Sequence, residues 1–254
     1  MTDSDSPWYR RFFEEDYLKV YGHAFNEGAT GREAAFIERV LDLRHGDQVL
    51  DLCCGHGRHS IVLAKKGYLI TGQDLNLALL EQARRKVYEE DLDVQLVQSD
   101  MRRIPFANHF DAVINVFSSF GYLESQEEDS GVLREVANAL KNGGRFLADM
   151  INREWVVSNY VQDELREIPN GFSYREHREI DLVTSRNHIT FKITDPEGNL
   201  YRSVGHHIRL YTLTEIIQML EQSGLELADV YGGFDGEPYS VTTRRMIIVA
   251  RKSD

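Results

Sequence analysis

The 254-residue chain has few cysteines, no long apolar run and no excess of basic residues. Its two cysteines, Cys53 and Cys54, are adjacent, which excludes a disulfide framework and fits a reducing compartment. The sequence has no stretch of about 18 apolar residues, and residues 1–6 are polar and acidic, so we expect neither a membrane span nor a signal peptide. These absences predict a cytoplasmic protein.

Positive charge is also scarce. The chain carries 29 Lys and Arg against 41 Asp and Glu, for a formal net charge of -12. Such a surface repels phosphate backbones unless a basic stripe is present. The densest basic clusters, at 84–86, 102–103 and 244–245, are short and lie among acids. We therefore expect neither a nucleic-acid partner nor a membrane partner.

Strand-like and helix-like segments alternate along much of the chain. Short apolar runs predict strands at 48–54, 68–74, 94–100, 111–117 and 145–151, and amphipathic patterns predict helices that include 58–67, 77–90 and 130–144. Parallel neighbouring strands need crossover connections. The order therefore predicts an α/β fold with a Rossmann-like, doubly wound and mostly parallel sheet.

Two segments depart from this alternation. A helix that begins at Ser6–Pro7 and continues to residue 25 is rich in aromatics, which is typical of core packing and also of a lid over a ligand. Strand-like runs without helices from about 172 to 212 predict an antiparallel β insertion. We expect one domain, 1–254, with a helical lid at about 1–28 and this insertion.

The strongest motif is VLDLCCGHGRHS at residues 49–60, where a buried strand leads through a glycine-containing turn into a helix. Gly55 and Gly57 permit positive φ and close approach of the backbone to a ligand. A dinucleotide site would need a third glycine where Ser60 stands, and Asp51 would lie near its phosphates. The carboxylate of Asp51 suits a cationic ligand better than it suits a phosphate.

Two further acids follow the next strands. Asp74 ends the second strand, where a carboxylate can accept hydrogen bonds from both hydroxyls of a ribose. Asp100 ends the third strand, where it can accept from an adenine amino group, with Met101 supplying backbone and an apolar edge. Acids at strand ends are also common as caps, but three at successive strands favour an adenosine-containing ligand.

These segments resemble the class I S-adenosylmethionine (SAM) dependent methyltransferases. VLDLCCGHG is similar to the first motif of that family, GQDLN to the second, QSDMRRIPF to the third, and INVFSSFGYL and LKNGGRFLADM to later segments. The resemblance implies SAM as cofactor and a seven-stranded sheet whose last strand is antiparallel. FSSFGYL and the late insertion look closest to small-molecule N-methyltransferases, such as those that act on amino sugars and glycine.

The cofactor contacts follow from these motifs. Cys53 stands where the family has its first motif glycine, and cysteine is small enough to keep a close approach. Tyr17 and Tyr21 are four residues apart, so they share a helix face, where their rings can stabilise a sulfonium. The predicted cofactor-binding residues are Tyr17, Asp51, Cys53, Gly55, Gly57, Arg58, Asp74, Leu75, Asp100, Met101 and Phe117.

Methyl transfer is an in-line displacement, so the main task of the protein is to align nucleophile, methyl carbon and sulfur in a dry pocket. Tyr122, just past the fourth strand, is placed to touch the methyl group or the acceptor. His206 and His207 are candidates for a base, and because neighbours on a strand point to opposite faces, only one of them should enter the pocket. The predicted catalytic residues are Tyr122, His207 and Tyr21.

The predicted acceptor is a small molecule, with an amine favoured and a hydroxyl left open. We expect residues 1–28 and about 152–212 to form its pocket above the carboxyl ends of the sheet, because only these segments leave the strand-helix pattern. The sequence leaves the oligomeric state, a homodimer included, open.

Other functions compete with this prediction. A nicotinamide-dependent oxidoreductase is opposed by Asp51 and Ser60, whereas a SAM-binding module without catalysis would use the same cofactor contacts. An RNA or protein substrate is opposed by the acidity and by the lack of an appended binding domain. A zinc site at Cys53, Cys54, His56 and His59 is opposed by the opposite directions of adjacent strand side chains, so no metal is predicted.

Overall fold

The computed structural model describes residues 7–13, 27–167 and 171–253. The helices within these ranges are α1 (Trp8–Phe12), α2 (Glu27–Val40), α3 (Arg58–Lys65), α4 (Leu77–Glu89), α5 (Gln126–Ala139), α6 (Arg153–Ser158) and α7 (Leu213–Gln222). The strands are β1 (Gln48–Leu52), β2 (Leu69–Asp74), β3 (Val94–Gln98), β4 (Phe110–Asn115), β5 (Leu140–Ile151), β6 (Asp163–Glu167), β7 (Ser173–Asp181), β8 (Arg186–Thr194), β9 (Leu200–Arg209), β10 (Leu225–Tyr231) and β11 (Arg245–Lys252).

Seven strands form one sheet in the order β10-β11-β5-β4-β1-β2-β3. The five strands from β5 to β3 are parallel, and β11 runs antiparallel to both of its neighbours, β5 and β10. The remaining four strands form a separate antiparallel sheet, β6-β7-β8-β9. This arrangement confirms the predicted α/β class, the mostly parallel seven-stranded sheet and the antiparallel insertion.

Helices cover both faces of the large sheet, because alternate side chains of its strands point to opposite sides. On one face Leu50 and Leu52 of β1 pack with buried residues of α5 and α7. On the other face Val49 packs with buried residues of α2 and α3. The central strands are therefore buried on both sides, which explains their nearly continuous apolar runs.

Local signals in the sequence set several helix ends. Asn76 accepts the Leu79 amide at the start of α4, and Ser125 accepts the Glu128 amide at the start of α5. Thr212 and Glu215 form a capping box at α7. Gly67, at φ +91°, ends the α3 turn in a conformation that favours glycine. These caps fix the residue at which each of these helices begins or ends.

Three boundaries differ from the sequence prediction. The helix expected at 130–144 ends at Ala139, and β5 already begins at Leu140, because Leu140 pairs with Phe110 of β4. Strand β6, Asp163–Glu167, was not predicted, since its mostly exposed residues lack the alternation of apolar and polar residues that marks a strand. The N-terminal helix is described only as Trp8–Phe12, with Pro7 as its N-cap, and the rest of the predicted helix lies outside the described residues.

The insertion sheet packs against the N-terminal helix. Trp8 and Phe12 of α1 form an apolar cluster with Ile189 and Phe191 of β8. None of the helices in the described ranges has the length and apolarity that a membrane crossing requires.

A buried hydrogen bond joins α5 to the segment before α7. The Tyr211 hydroxyl donates to the Asp129 carboxylate at 2.6 Å, and both residues are buried. Burial raises the pKa of Asp129 to about 6, opposed by the Tyr211 hydrogen bond and the charges of Arg186 and Arg209. The folded state therefore binds a proton at a higher pH than the unfolded chain does.

We predict that this carboxyl group makes the protein less stable as pH rises. The stability that the protonated Asp129 carboxyl contributes is fully present below its unfolded pKa and is lost as pH rises through about 6. The free energy of unfolding should fall by about 2 to 3 kcal/mol over this range, at about 1.4 kcal/mol per pKa unit. Asp129→Asn keeps an acceptor for Tyr211 and should remove this dependence, as measured by urea unfolding between pH 4 and pH 7. Glu127→Gln, at an exposed carboxylate of the same helical turn, should retain it, and equal pH profiles for Asp129→Asn and the parent protein would contradict the assignment.

Candidate functional site

A cavity of about 430 Å³ opens at the carboxyl ends of the parallel strands. That volume is within the range of small-molecule sites. Its walls come from the segments that follow β1, β2, β3 and β4 and from the N-terminal segment. The lining residues are Tyr9, Phe13, Asp51, Cys53, Cys54, Gly55, His56, Arg58, His59, Asp74, Leu75, Asn76, Leu77, Ala78, Leu79, Asp100, Met101, Val116, Phe117, Ser119, Tyr122 and Leu123.

The turn between β1 and α3 has a left-handed backbone at three positions. Cys53 has φ +62°, Gly55 +57° and Gly57 +77°. A left-handed conformation is costly for a residue with a Cβ, so Cys53 carries strain that a glycine would not. The Gly55 amide donates to the Asp74 carboxylate at 2.8 Å, which fixes this turn to the end of β2.

The two glycines of the turn have different surroundings. A Cβ on Gly55 would meet only Leu79 Cδ1, at 3.9 Å, because its open side is the cavity. A Cβ on Gly57 would lie 3.0 Å from the Ala83 Cβ of α4. Gly57 is not among the residues that line the cavity, and the absence of a Cβ there lets α3 and α4 pack closely, so its role as a cofactor contact stays a prediction.

Two carboxylates lie on the wall, of which Asp51 is buried and Asp74 is partly buried. Asp51 accepts the Ser60 hydroxyl at 2.6 Å, and the second oxygen of Asp74 accepts the Asn76 amide at 2.8 Å. Burial raises the pKa of both Asp51 and Asp74, opposed by these hydrogen bonds. Carboxylates that have lost water in this way gain from a nearby cation or from further donors.

Asp100 is held in a different way. The Arg102 guanidinium donates to both of its oxygens, at 3.0 and 2.7 Å, and also reaches Glu128 at 2.7 Å. Asp100 lines the cavity, but this fork and the Arg102 amide already occupy part of its acceptor capacity. Sequence spacing alone gave no sign of the ion pair.

Arg58 is only slightly exposed, with 13% of its side-chain surface accessible, and it lies in a charged cluster with α2. It donates to Thr30 at 3.0 Å and forms an ion pair with Glu33, which also bonds His59 at 2.8 Å. Its guanidinium carbon lies 5.3 Å from the centre of the Phe117 ring. A positive group is therefore fixed at the wall of the cavity, opposite in sign to the strand-end acids.

Part of the cavity wall is aromatic. Tyr9, Phe13 and Tyr122 line it, and Trp8 packs behind them with its ring centre 4.8 Å from that of Tyr122. Phe13 and Tyr122 are stacked at 6.1 Å, and the Phe13 carbonyl accepts from Asn76 Nδ2 at 2.6 Å. The N-terminal segment is thus connected both to the loop after β4 and to the start of α4.

The structure does not place His207 among the residues that line this cavity, and its role as a base stays a prediction. His207 Nε2 lies 3.6 Å from Glu124, and its ring is 5.4 Å from that of His188. His206 points to the other face of β9 and stacks on Phe191 within the aromatic cluster, where burial lowers its pKa to about 4. The pairing of β9 with β8, which sets both directions, was not readable from the sequence.

Some of the other predicted site residues line the cavity, and others lie outside the described residues. Leu75, Met101 and Phe117 line the cavity, whereas Tyr17 and Tyr21 lie outside the described residues. The sequence analysis considered His56 only as a zinc ligand and did not single out Asn76, and both line the cavity. The Asn-Leu pair at the start of α4, typical of a helix cap, was the available signal for Asn76.

The cysteines are thiols in the structure. Burial raises the pKa of Cys53 and of Cys54 well above the usual value, with the nearby acids adding to the effect. Within residues 7–13, 27–167 and 171–253, no group of three or more His, Cys, Asp or Glu side chains is arranged to hold a metal ion.

Residues 49–144 match the sequence model of a methyltransferase domain. Among curated proteins, the chain is 26% identical to a putative methyltransferase, YqeM, from Bacillus subtilis, over 94% of this chain and 97% of that protein. It is 27% identical to the dTDP-3-amino-3,4,6-trideoxy-alpha-D-glucopyranose N,N-dimethyltransferase of Streptomyces venezuelae, over 88% and 96% of the two chains. The solved CcbJ methyltransferase from Streptomyces caelestis has the same fold, with a TM-score of 0.83 at 20% identity, over 95% and 98%.

The two turn glycines give a matched test of the cavity. We predict that Gly55→Ala destabilises the protein by about 1 to 2 kcal/mol, the cost of a left-handed alanine, since its methyl group would enter open space. Gly57→Ala should cost more, because the same backbone cost is joined by a contact with α4. Urea unfolding measures both values, and a larger loss for Gly55→Ala would show that the open side of Gly55 is wrongly assigned.

Proposed function

We propose that this class I SAM-dependent methyltransferase transfers a methyl group to the amine nitrogen of a small molecule. The observation that carries the proposal is the lining of one cavity at the carboxyl ends of the parallel strands, which combines carboxylates with aromatic rings. The carboxylates of Asp51 and Asp74 suit a cationic nucleoside cofactor, and the rings of Tyr9, Phe13 and Tyr122 suit its acceptor.

The residues present fit SAM. The open side of Gly55 leaves room for close approach to the backbone, and the carboxylates of Asp51 and Asp74 can accept from an ammonium group and from ribose hydroxyls. Arg58 supports a site for the cofactor carboxylate, because its charge is fixed at the wall. Asp100, Met101 and Leu75 are proposed to bound the adenine pocket, and Cys53 and Phe117 to flank the cofactor between them.

When bound, SAM supplies an electrophilic methyl group on a sulfonium sulfur. The protein's own task is to hold the acceptor in line with that group and to exclude water, and such positioning can supply about 7 to 11 kcal/mol. Tyr9, Phe13 and Tyr122 can exclude water and lay ring faces toward a cation, an attraction of about 0.5 to 2 kcal/mol. No covalent intermediate with the protein is needed.

An amine acceptor is favoured over a hydroxyl. An amine has a lone pair once it has lost its proton, whereas a hydroxyl must lose its proton during attack and so needs a base. The N,N-dimethyltransferase of Streptomyces venezuelae, whose name gives an amino sugar as substrate, supports the same choice.

We also propose that residues 1–28 act as a lid within a single domain, 1–254, with the insertion as its support. The described part of this segment, α1, already lines the cavity through Tyr9 and packs on β8 and β9. The residues of β6 to β9 do not themselves line the cavity as described. The predicted acceptor pocket is therefore revised: the N-terminal segment contacts the ligand and the insertion holds that segment in place.

Asp74→Ala should weaken SAM binding by about 1.5 to 3 kcal/mol, the range for hydrogen bonds to a charged group. The same change frees the Gly55 and Asn76 amides, so part of the loss comes from the turn. Asp74→Asn, which keeps one acceptor oxygen, should lose less, and isothermal calorimetry with SAM separates the two. Parent-like SAM affinity in a folded Asp74→Ala protein would remove Asp74 from the site.

Transfer itself is tested with SAM that carries an isotopically labelled methyl group. We expect the label to enter the metabolite fraction of a cell extract, and mass spectrometry identifies the methylated compound. Tyr122→Phe should slow this transfer while SAM binding is retained, because Tyr122 lines the cavity and is proposed to contact the acceptor. Label found in the RNA or protein fraction, with none in metabolites, would refute a small-molecule acceptor.

A further inference from the structure

The loop after β4 begins with two consecutive residues in the left-handed region. Phe117 has φ +74° and Ser118 has φ +62°, and neither is glycine. Such conformations are costly for residues with a Cβ, and they persist only where the surroundings hold them. Phe117 also exposes 41% of its surface at the cavity wall, which is unusual for a phenylalanine next to a buried strand.

Asp149 and Arg245 hold this turn from the neighbouring strands. The Phe117 amide donates to Asp149 Oδ2 and the Ser118 amide to the Asp149 carbonyl, both at 2.9 Å. Arg245 donates to the Ser118 hydroxyl at 3.0 Å and reaches Asp149 Oδ2 at 3.2 Å. Each strained residue is thus bound through its own amide, and Arg245 closes the arrangement from β11.

Arg245 also contacts the ring that the turn presents. Its guanidinium carbon lies 5.6 Å from the centre of the Phe117 ring, and that of Arg58 lies 5.3 Å from the same centre. Two cations from separate elements therefore fix one aromatic ring at the cavity wall.

The ion pair of Asp149 and Arg245 has a desolvation cost that makes it a poor means of stabilising a sheet. The Asp149 side chain is fully buried, and its Oδ1 has no hydrogen-bond donor among the described residues. Buried ion pairs are often no more stabilising than apolar residues of similar size. The cost is explained if the pair serves the turn, since an apolar pair could not accept the Phe117 amide or bind the Ser118 hydroxyl.

We propose that Asp149 and Arg245 are positioning residues, which hold the Phe117–Ser118 turn so that the Phe117 ring forms the cavity wall against the bound cofactor. Neither residue lines the cavity, so both act through Phe117. The part that concerns the cofactor rests on the proposed function, whereas the hold on the turn does not.

The test uses Arg245→Lys in the full-length protein. Lysine keeps the charge beside Asp149 but loses the planar fork that reaches both Ser118 and the carboxylate. We expect the Phe117 and Ser118 amides to exchange hydrogen about tenfold faster in the ligand-free variant, and S-adenosylhomocysteine, the product of methyl transfer from SAM, to bind about tenfold more weakly. Hydrogen exchange and calorimetry measure the two effects.

Arg244→Lys is the matched control. Arg244 is the preceding residue, is exposed and places its guanidinium over the Trp155 ring at 5.0 Å, away from the cavity. The same chemical change there should leave both readouts at the parent values. Adding Ser118→Gly to Arg245→Lys should recover most of the lost affinity, because glycine adopts a positive φ without strain.

The experiments test separately whether Asp149 and Arg245 hold the turn and whether that hold affects binding in the cavity. Unchanged exchange at residues 117 and 118 in Arg245→Lys would overturn the hold on the turn, and faster exchange with parent-like affinity would overturn its role at the cavity. If Arg245→Lys does not fold, the double variant Asp149→Asn/Arg245→Gln replaces it, because that protein buries no charge. It should show the same faster hydrogen exchange at residues 117 and 118, and parent-like exchange there would overturn the proposal. Absence of S-adenosylhomocysteine binding by the parent protein would instead refute the proposed function, with the exchange result still decisive for the turn.

Discussion

The hydrogen bond from the Gly55 amide to the Asp74 carboxylate joins the two strand ends on which the cavity depends. It ties the turn after β1 to the end of β2, and the other Asp74 oxygen accepts the Asn76 amide at the start of α4. Asn76 in turn caps α4 and donates to the Phe13 carbonyl. The Asp74 carboxylate therefore sets the turn, the helix start and, through Asn76, the position of Phe13.

A second constraint acts on the aromatic part of the cavity wall. The loop that carries Tyr122 is bound to the insertion sheet, since the Arg209 amide donates to the Gly121 carbonyl at 2.9 Å and Arg186 donates to the Leu123 carbonyl at 2.6 Å. Gly121 has φ +97° and a Cβ there would lie 2.6 Å from the Arg209 carbonyl, so only glycine permits this approach. The insertion thus supports the cavity wall without lining it. The strained residues Cys53 and Phe117 follow the neighbouring strands β1 and β4, and both line the cavity where ligand contact is proposed.

The scaffold was largely readable from the sequence because its signals are local. Buried strands appear as apolar runs, helix starts carry caps such as Thr212 with Glu215, and acids at successive strand ends meet at one edge of a parallel sheet. Contacts between distant segments were not readable. The ion pair of Asp149 and Arg245 depends on the pairing of β5 with β11, and the directions of His206 and His207 depend on the register of β9. The left-handed backbone at Cys53 and Phe117 also has no local signal, since neither residue favours it.

The central claim is that this cavity binds SAM, and a calorimetric titration of the purified protein tests it most directly. SAM and NADH are titrated in parallel, because both contain adenosine and only NADH carries a pyrophosphate. The carboxylates of Asp51 and Asp74 predict saturable binding of SAM at one site per chain and no heat from NADH. Tight binding of NADH with none of SAM would contradict the account.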